Sequence, residues 1–278
     1  SLALLTITTS ANSICSTSSA TRLLSHRGET AGEGDDRSLV ALLVEQIEFA
    51  DVVIVNKASD VSPEQLAMVK KVVASLNGDA KIIEADHSKV ELDDVVGTGL
   101  YDEEESEKHP LWLKELYDFA SHRPETEEYG VESFVYRARR PFDPAKFYDF
   151  LVSDNLDKVI RSKGHFWLAT RPDFLGELAI AGTQKSVSRM GRWWAAVPKN
   201  RWPDDGTFEE FVVKKWDQTW GDRRQEIVFI GIGMDQAAIT AALDACQVPG
   251  DEFVPELWAN LNDPFPAWGE PQPVGEPA

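Results

Sequence analysis

The sequence predicts an α/β domain, a parallel sheet with flanking helices, followed by an α+β domain. Residues 52–55 form a β-branched run, Val-Val-Ile-Val, of the kind found in buried parallel strands. A helical pattern over residues 62–76 separates this run from the next predicted strand, Lys-Ile-Ile at residues 81–83, and such β-α-β units build parallel sheets. From residue 131 onward, strand-like runs and short helical segments follow in a pattern typical of an α+β domain.

The two helices of the first domain have clear local signals. Residues 38–50 place their leucines and Ile47 on one helical face. Ser62 is suited to the N-cap of the second helix, because Pro63 takes the first helical position and Gln65 stands three residues after the cap. One helix is therefore expected before the strand at residues 52–55 and the other after it in the chain.

The elements of the second domain are predicted from alternation, apolar runs and capping residues. Asp143 with Pro144 is expected to open one helix, and Asp235 to cap the last one. Six prolines follow residue 250, so the end of the chain is predicted to be irregular. Strands are expected at residues 133–137 and 165–169, twice within 178–194, and at 227–232.

Composition divides the chain into five segments. Residues 1–25 hold twelve Ser or Thr residues and no acid, so residues 1–35 are interpreted as irregular or foreign to the fold, with a transit-like leader as the alternative. The first domain would then lack the strands that flank residues 52–55. The segments are residues 1–35, the distal part of the first domain at 36–100, an acidic linker with a short helix at 101–128, the second domain at 129–248, and a Pro-rich tail at 249–278.

Charge and cysteine content exclude several classes of partner. The 278 residues include 47 acids and 28 bases, for a net charge of -19, and such a chain repels nucleic-acid phosphates. No stretch approaches the roughly 18 unbroken apolar residues that a membrane helix needs, so no membrane partner is expected. Two cysteines, Cys15 and Cys246, cannot build a disulfide framework, which favours a cytoplasmic location.

The most informative local feature is the strand end Asn56-Lys57-Ala58-Ser59-Asp60. In GTPases a hydrophobic strand leads into Asn-Lys-x-Asp, where Asn braces the nucleotide-binding loops, the Lys stem packs on the base, and Asp accepts two hydrogen bonds from guanine. Here Ser59 takes the fourth position and the acid follows at Asp60. A polar strand end followed by a turn would give the same pattern, so the spacing alone leaves both interpretations open.

Longer segments resemble the CobW family of P-loop GTPases, which are studied as metal chaperones. The resemblance covers roughly residues 36–248 and implies a partial P-loop GTPase domain followed by an α+β CobW C-terminal domain. The segments that carry it are the surroundings of Asn56-Lys57 at residues 46–63, then Val-Glu-Ser-Phe-Val-Tyr-Arg-Ala-Arg-Arg-Pro-Phe at 131–142, Ser-Lys-Gly-His-Phe-Trp-Leu-Ala-Thr-Arg at 162–171, and the strand and helix start at 221–235.

The resemblance also implies a function. It is the GTP-dependent delivery of a metal ion, with zinc as the expected cargo, to a metalloprotein client that the C-terminal domain binds. GTP and Mg²⁺ are the cofactors of the intact family, and a homo-oligomer stays possible. Asn56, Lys57, Ser59 and Asp60 would form the guanine pocket, and Ser59 in the usual Asp position predicts a weaker preference for GTP over ATP. No residue is assigned to catalysis or to metal binding.

Two motifs of the family have no counterpart in this sequence. The Walker A loop Gly-x-x-x-x-Gly-Lys-Thr, which cradles phosphates and reaches Mg²⁺, is absent. Cys-x-Cys-Cys is absent too, since Cys15 stands alone and Cys246 lies in the last predicted helix. The chain is therefore expected not to hydrolyse GTP and is interpreted as N-terminally truncated or frameshifted, which translation of the upstream DNA would test. The alternative function is a nucleotide-independent protein-interaction module based on the C-terminal domain.

The remaining candidate residues are given structural roles. The five histidines have no ligand spacing, and the acidic residues 102–109 are interpreted as a solvated charge run, with a weak divalent-ion surface as the alternative. The arginines at 137, 139, 140, 223 and 224 are expected to pair with acids of their own domain. The tryptophans between residues 193 and 220 are expected to fill cores rather than form a binding surface.

Overall fold

The structure is a computed structural model that describes residues 4–8, 39–100, 131–203, 208, 212–268 and 272–273. The chain divides into two compact units. The first comprises Ser1–Ser133 with Ile230–Gly233, and the second comprises Phe134–Phe229 with Met234–Ala278. The acidic run and the short helix predicted between residues 101 and 128 lie outside the described residues. Among the residues described, no helix has the length and apolar character needed to cross a membrane.

The first unit contains a three-stranded parallel sheet with the order β1-β2-β3. Residues on alternate faces of β2 enter separate apolar clusters: Val53 packs with Val73, whereas Val52 and Ile54 pack with Ala85. A central strand buried on both faces is the arrangement expected of an α/β domain. The elements are β1 (Leu4–Thr8), α1 (Leu39–Glu48), β2 (Val52–Asn56), α2 (Pro63–Leu76) and β3 (Lys81–Ala85).

Strand β1 corrects the prediction that residues 1–35 are irregular. Leu4–Thr8 runs parallel to β2, with Leu4 beside Val52 and Thr8 beside Asn56. The Ser and Thr content of the surrounding residues concealed this strand, although its own sequence Leu-Leu-Thr-Ile-Thr contains three β-branched residues suited to a pleated surface. Strand β2 is therefore paired on both sides, and the expectation that flanking strands are missing was wrong.

Helix α2 begins as its sequence predicts. The Ser62 hydroxyl accepts a hydrogen bond from the Gln65 backbone N–H at 3.3 Å, and the Gln65 side chain accepts one from the Ser62 N–H at 3.0 Å. This capping box satisfies two backbone donors of the first turn. At the other end, the buried Asn77 amide donates to the carbonyls of Ile47 and Ala50, both at 2.9 Å, so it ties the end of α2 to the segment that leads into β2.

The second unit is built on a six-stranded sheet with the order β4-β8-β5-β6-β7-β9. The β5–β6, β6–β7 and β7–β9 pairs are antiparallel. This arrangement confirms the predicted α+β class of the second domain. The elements are β4 (Val131–Ala138), α3 (Pro144–Val152), β5 (Val159–Phe166), β6 (Phe174–Ala181), β7 (Gln184–Arg192), β8 (Gln225–Ile232), α4 (Gln236–Cys246), the short helix α5 (Pro255–Trp258) and β9 (Gln272–Pro273).

Aromatic side chains fill two cores of the second unit. Phe142, Phe147 and Phe166 are fully buried in the first core, with the Phe142 and Phe147 ring centroids 4.6 Å apart. Trp167 and Trp220 lie in the second core, with centroids 5.7 Å apart. The tryptophan prediction holds for the buried Trp193 and Trp220, whereas Trp216 is 38% exposed.

The segment after residue 249 is mostly irregular, as predicted, yet it is packed into the domain. Trp258 is buried in the second core and Phe265 in the first. Asp263 accepts two hydrogen bonds from the Arg171 guanidinium, at 2.8 and 2.9 Å. Residues 253–268 therefore belong to the folded second unit.

Candidate functional site

The candidate site lies where two neighbouring parallel strands end. Strands β2 and β3 pair in register from Val52 beside Lys81 to Asn56 beside Ala85. The loops that follow them, residues 56–60 and 86–89, therefore leave the same edge of the sheet. In open α/β sheets, ligands bind outside the carboxyl ends of the strands, so this edge is the expected place for a small-molecule site.

Asn56 joins these two loops. Its side-chain oxygen accepts a hydrogen bond from the Ser88 backbone N–H at 2.8 Å, and its amide donates to the Ser88 hydroxyl at 3.1 Å. Asn56 is only 9% exposed whereas Ser88 is exposed, so the two bonds are partly shielded from water. Asn56 thus connects the loop after β2 to the loop after β3.

Both loops contain strained backbone. Lys57, His87 and Ser88 have φ angles of 60°, 54° and 56°, and they are the only non-glycine residues with positive φ among those the structure describes. Residues with side chains rarely adopt this left-handed conformation, and such strain concentrates at functional sites. Lys57 also begins the short 3₁₀ turn Ala58–Asp60, so its side chain and those of Ser59 and Asp60 come from one tight turn.

Ser59 contacts the second loop through Asp86. Its backbone N–H donates to Asp86 Oδ1 at 3.1 Å, and its hydroxyl donates to the same oxygen at 2.8 Å. These two hydrogen bonds, first from the backbone and then from the hydroxyl, hold the pKa of Asp86 below its usual range. Asp86 is therefore a carboxylate at neutral pH.

Asp60 is placed differently from Ser59. It ends the 3₁₀ turn, its backbone N–H donates to the Lys57 carbonyl at 3.1 Å, and its side chain is exposed. The turn brings all four predicted residues to one loop, and Asn56 and Ser59 hydrogen bond to the loop after β3.

Sequence reasoning missed Asp86 and Ser88. Both lie within five residues of the strand predicted at residues 81–83, and the carboxyl ends of neighbouring parallel strands meet at one edge. Polar residues at that strand end were therefore the signal that could have found them.

Cysteine and acidic side chains do not form a metal centre among the residues that the structure covers, because no group of three or more His, Cys, Asp or Glu is close enough. Cys246 is buried, its thiol hydrogen bonds to the Ala242 carbonyl, and burial raises its pKa to about 12. It is therefore a core residue. Cys15 lies outside the described residues.

Arginines of the second unit have structural partners. Arg137 and Arg224 both pair with Glu226, with Nε to carboxylate distances of 3.2 and 2.7 Å. Arg139 and Arg223 instead donate to backbone carbonyls, for example Arg223 Nε to Pro172 at 2.7 Å. The prediction of pairing with acids holds for the two arginines on Glu226.

The second unit corresponds to a known domain. Residues 131–247 match the family model of the cobalamin synthesis protein CobW C-terminal domain. The chain therefore contains a CobW C-terminal domain, and the resemblance inferred from the sequence is confirmed.

Sequence similarity to curated relatives covers more of the chain than the C-terminal domain alone. The chain is 36% identical over 240 residues to zinc-regulated GTPase metalloprotein activator 1 of Dictyostelium discoideum, a match that covers 84% of this chain and 50% of the relative. It is 28% identical over 236 residues to a zinc chaperone of Mycobacterium tuberculosis, with 84% and 56% covered. The chain thus spans about half the length of the curated relatives it matches. A solved structure of the Zn(II)-bound YjiA GTPase from E. coli aligns with a TM-score of 0.33 and 16% identity, over 75% of this chain and 55% of that one.

Proposed function

We propose that this chain acts in GTP-dependent metal delivery of the CobW type. The first unit binds the guanine base at the edge of its parallel sheet, and the second unit binds a metalloprotein client in the cytoplasm. The observation that carries the proposal is the double hydrogen bond of Asn56 to Ser88, because it holds together the two loops that would form the base pocket.

Each predicted residue has a role in this pocket. Asn56 holds the two loops together, the aliphatic stem of Lys57 covers one face of the base, and Ser59 or Asp60 faces the base edge. A site that hydrogen bonds one base rejects another, because the wrong base leaves buried polar groups unpaired. The pocket therefore recognises the nucleotide through its base.

Phosphate and Mg²⁺ binding are not assigned to residues of this sequence. Gly-x-x-x-x-Gly-Lys-Thr is absent from it, and the described residues include no acidic cluster suited to a cation. The proposal therefore gives the side chains of this sequence no hydrolytic step. The proposed cargo is zinc, supported by relatives named as a zinc-regulated GTPase metalloprotein activator and a zinc chaperone.

A second candidate function is a protein-interaction module that works without nucleotide. It is favoured by the self-contained aromatic cores of the second unit. In this case the client surface of the second unit is the whole function, and the loops at Asn56 are a structural clamp.

Nucleotide binding distinguishes the two functions. Titration of the chain with GDP and ADP, followed by calorimetry, is expected to show tighter binding of GDP. Asn56→Ala should weaken GDP binding by about tenfold or more, since it removes two partly buried hydrogen bonds between the loops, whereas Asn155→Ala, at an exposed site in the second unit, should leave it unchanged. Equal or undetectable binding of GDP and ADP would favour the interaction module. GTP hydrolysis above background is not expected in either case.

A further inference from the structure

We propose that Asp86, rather than Ser59 or Asp60, is the residue that reads the guanine edge, and that Ser59 serves to hold it in place. The inference rests on the proposed function, since it names the base-selecting residue of the same pocket. It also replaces the expectation of a weak GTP preference with that of a full one, because a carboxylate is present after all.

Position supports this assignment. Ser59 stands at the fourth position of the Asn-Lys pattern, where a carboxylate would read the base. The Asp86 carboxylate reaches that position from the loop after β3, with Oδ1 within 2.8 Å of the Ser59 hydroxyl oxygen and 3.1 Å of its backbone nitrogen. The chain thus supplies from one loop the acid that is missing in the other.

The bonding state of Asp86 supports it as well. Both hydrogen bonds from Ser59 end on Oδ1, and no described residue donates to Oδ2. An ionised carboxylate oxygen has two acceptor positions. The base edge of guanine presents two donors, N1–H and the 2-amino group, so Oδ2 can accept both. Adenine presents an acceptor at N1 instead, which a carboxylate repels.

Asp60 is a weaker candidate by the same criteria. Its carboxylate is exposed, and no described residue donates a hydrogen bond to it, so nothing in the described part of the chain fixes its direction. An acid that selects a base must be held in place before the base arrives, since ordering a free side chain on binding costs affinity. Among the described residues, two donors hold the Asp86 carboxylate and none holds that of Asp60.

A purely structural role for Asp86 would make different predictions. If Asp86 only clamps the two loops through Ser59, then replacing it by Asn should preserve base selection, because the Asn side-chain oxygen can still accept both Ser59 bonds. If Asp86 reads the base, the same change places N–H donors where Oδ2 was. These donors face N1–H and the amino group of guanine, neither of which accepts a hydrogen bond. Xanthine keeps N1–H but has a C2 carbonyl in place of the amino group, and this carbonyl can accept from the Asn amide.

The test uses the 278-residue chain and the phosphate-free probes guanosine, adenosine and xanthosine, so that base recognition is measured without a phosphate loop. Binding is followed by saturation-transfer NMR, and thermal melting confirms that each variant is folded. The wild-type chain should prefer guanosine over adenosine. Asp86→Asn should lower guanosine binding by about tenfold or more and raise xanthosine binding, whereas the control Asp93→Asn, at an exposed acid of the first unit, should change neither. Asp60→Asn is measured as the competing assignment.

Ser59→Ala is the second variant, and it separates anchoring from reading. It keeps the Asp86 charge and should weaken guanosine binding without any gain for xanthosine. Suppose that the wild-type chain prefers guanosine. If Asp86→Asn keeps that preference, or if Asp60→Asn loses it, the assignment of Asp86 is wrong. The proposed guanine site still stands in both cases. If the wild-type chain does not distinguish guanosine from adenosine, the proposed function fails and the assignment fails with it.

Discussion

Glu226 is a buried carboxylate surrounded by basic side chains. Its side chain is 5% exposed and lies within ion-pair distance of Arg224 at 2.7 Å, Arg137 at 3.2 Å and Lys215 at 3.8 Å. Burial alone would raise the pKa of Glu226, but the charges of Arg224 and Lys215 and the hydrogen bonds from both arginines outweigh it, so the pKa lies below its usual range. Its contribution to stability is therefore present at neutral pH and is lost as acid protonates it.

Replacing Glu226 by Gln is expected to destabilise the second unit. The change leaves three basic groups without their shared carboxylate, which should cost roughly 2 kcal/mol of unfolding free energy because the acid is buried although Arg137 is half exposed. The control is Asp173→Asn, since Asp173 pairs with Arg192 at 2.7 Å in an exposed position, and it should cost less than about 1 kcal/mol. Urea unfolding of both variants measures the difference, and equal losses would contradict the prediction.

His165 makes stability depend on pH. Burial, and next the nearby positive charge of Arg224, lower its pKa from 6.5 to about 4. The unfolded chain therefore binds a proton more readily than the folded one, and the stabilising effect of the neutral ring is complete above about pH 6.5 and falls as the pH drops towards about 4.

The His165→Gln variant tests this dependence. Between pH 7 and about pH 4.5 the wild-type chain should lose about 1–3 kcal/mol more unfolding free energy than the variant, because Gln does not titrate. Urea unfolding of both proteins at both pH values gives four unfolding free energies. Subtracting the pH-dependent change of the variant from that of the wild-type chain removes the contribution of other titrating groups. A loss of the same size in both proteins would show that His165 is not responsible.

At the scale of elements, the segment after residue 249 is held by an ion pair and by aromatic side chains, among them the buried Trp258 and Phe265. Arg171 donates to both oxygens of Asp263 and also to the carbonyls of Phe265 and Pro266, at 2.7 and 2.9 Å. The Arg171 and Asp263 side chains are only 15% and 17% exposed. This geometry makes the pair a fixed anchor for the segment rather than a solvated surface contact.

Removing this anchor should loosen the segment. Asp263→Ala leaves a shielded guanidinium without its carboxylate and is expected to cost about 2–4 kcal/mol of unfolding free energy. Limited proteolysis should then cut within residues 253–268 faster than in the wild-type chain. Asp251→Ala, an exposed acid in the same part of the chain, is the control and should change neither the urea midpoint nor the cleavage rate. Unchanged cleavage in Asp263→Ala would show that the aromatic side chains suffice.

At the scale of the whole molecule, the limits of the second unit set what can fold alone. The sequence places the end of this domain at residue 248, but Trp258 and Phe265 are 5% and 6% exposed and lie in its cores. A fragment that stops at residue 248 would expose the cavities these rings fill. Losing one buried Phe or Trp side chain costs about 3–5 kcal/mol.

Two fragments test this limit. Residues 129–268 should give a soluble protein with a cooperative melt. Residues 129–248 should melt at a markedly lower temperature or aggregate, because they lack both rings and Asp263. Calorimetry of the two fragments gives the comparison. A fragment of residues 129–248 as stable as the longer one would mean that the tail packs without contributing to stability.

Features set within a few residues could be predicted from the sequence alone. Ser62, Asp143 and Asp235 all cap the helices that they were predicted to cap, because a capping bond spans only two or three residues. The strand ending at Asn56 followed from a short apolar run. The family resemblance was likewise carried by continuous segments.

Contacts between distant segments were decided by the tertiary structure. Strand β1 exists through its pairing with β2, the bond of Ser59 to Asp86 spans 27 residues, and Arg171 meets Asp263 across 92 residues. A polar residue in a loop gives no local signal of the partner it will meet, since the path of the chain determines which loops become neighbours. The sequence therefore determined the family resemblance, the four longer helices of the described residues and most strands, whereas the acid of the candidate site and the packing of the segment after residue 249 depended on which segments the fold brings together.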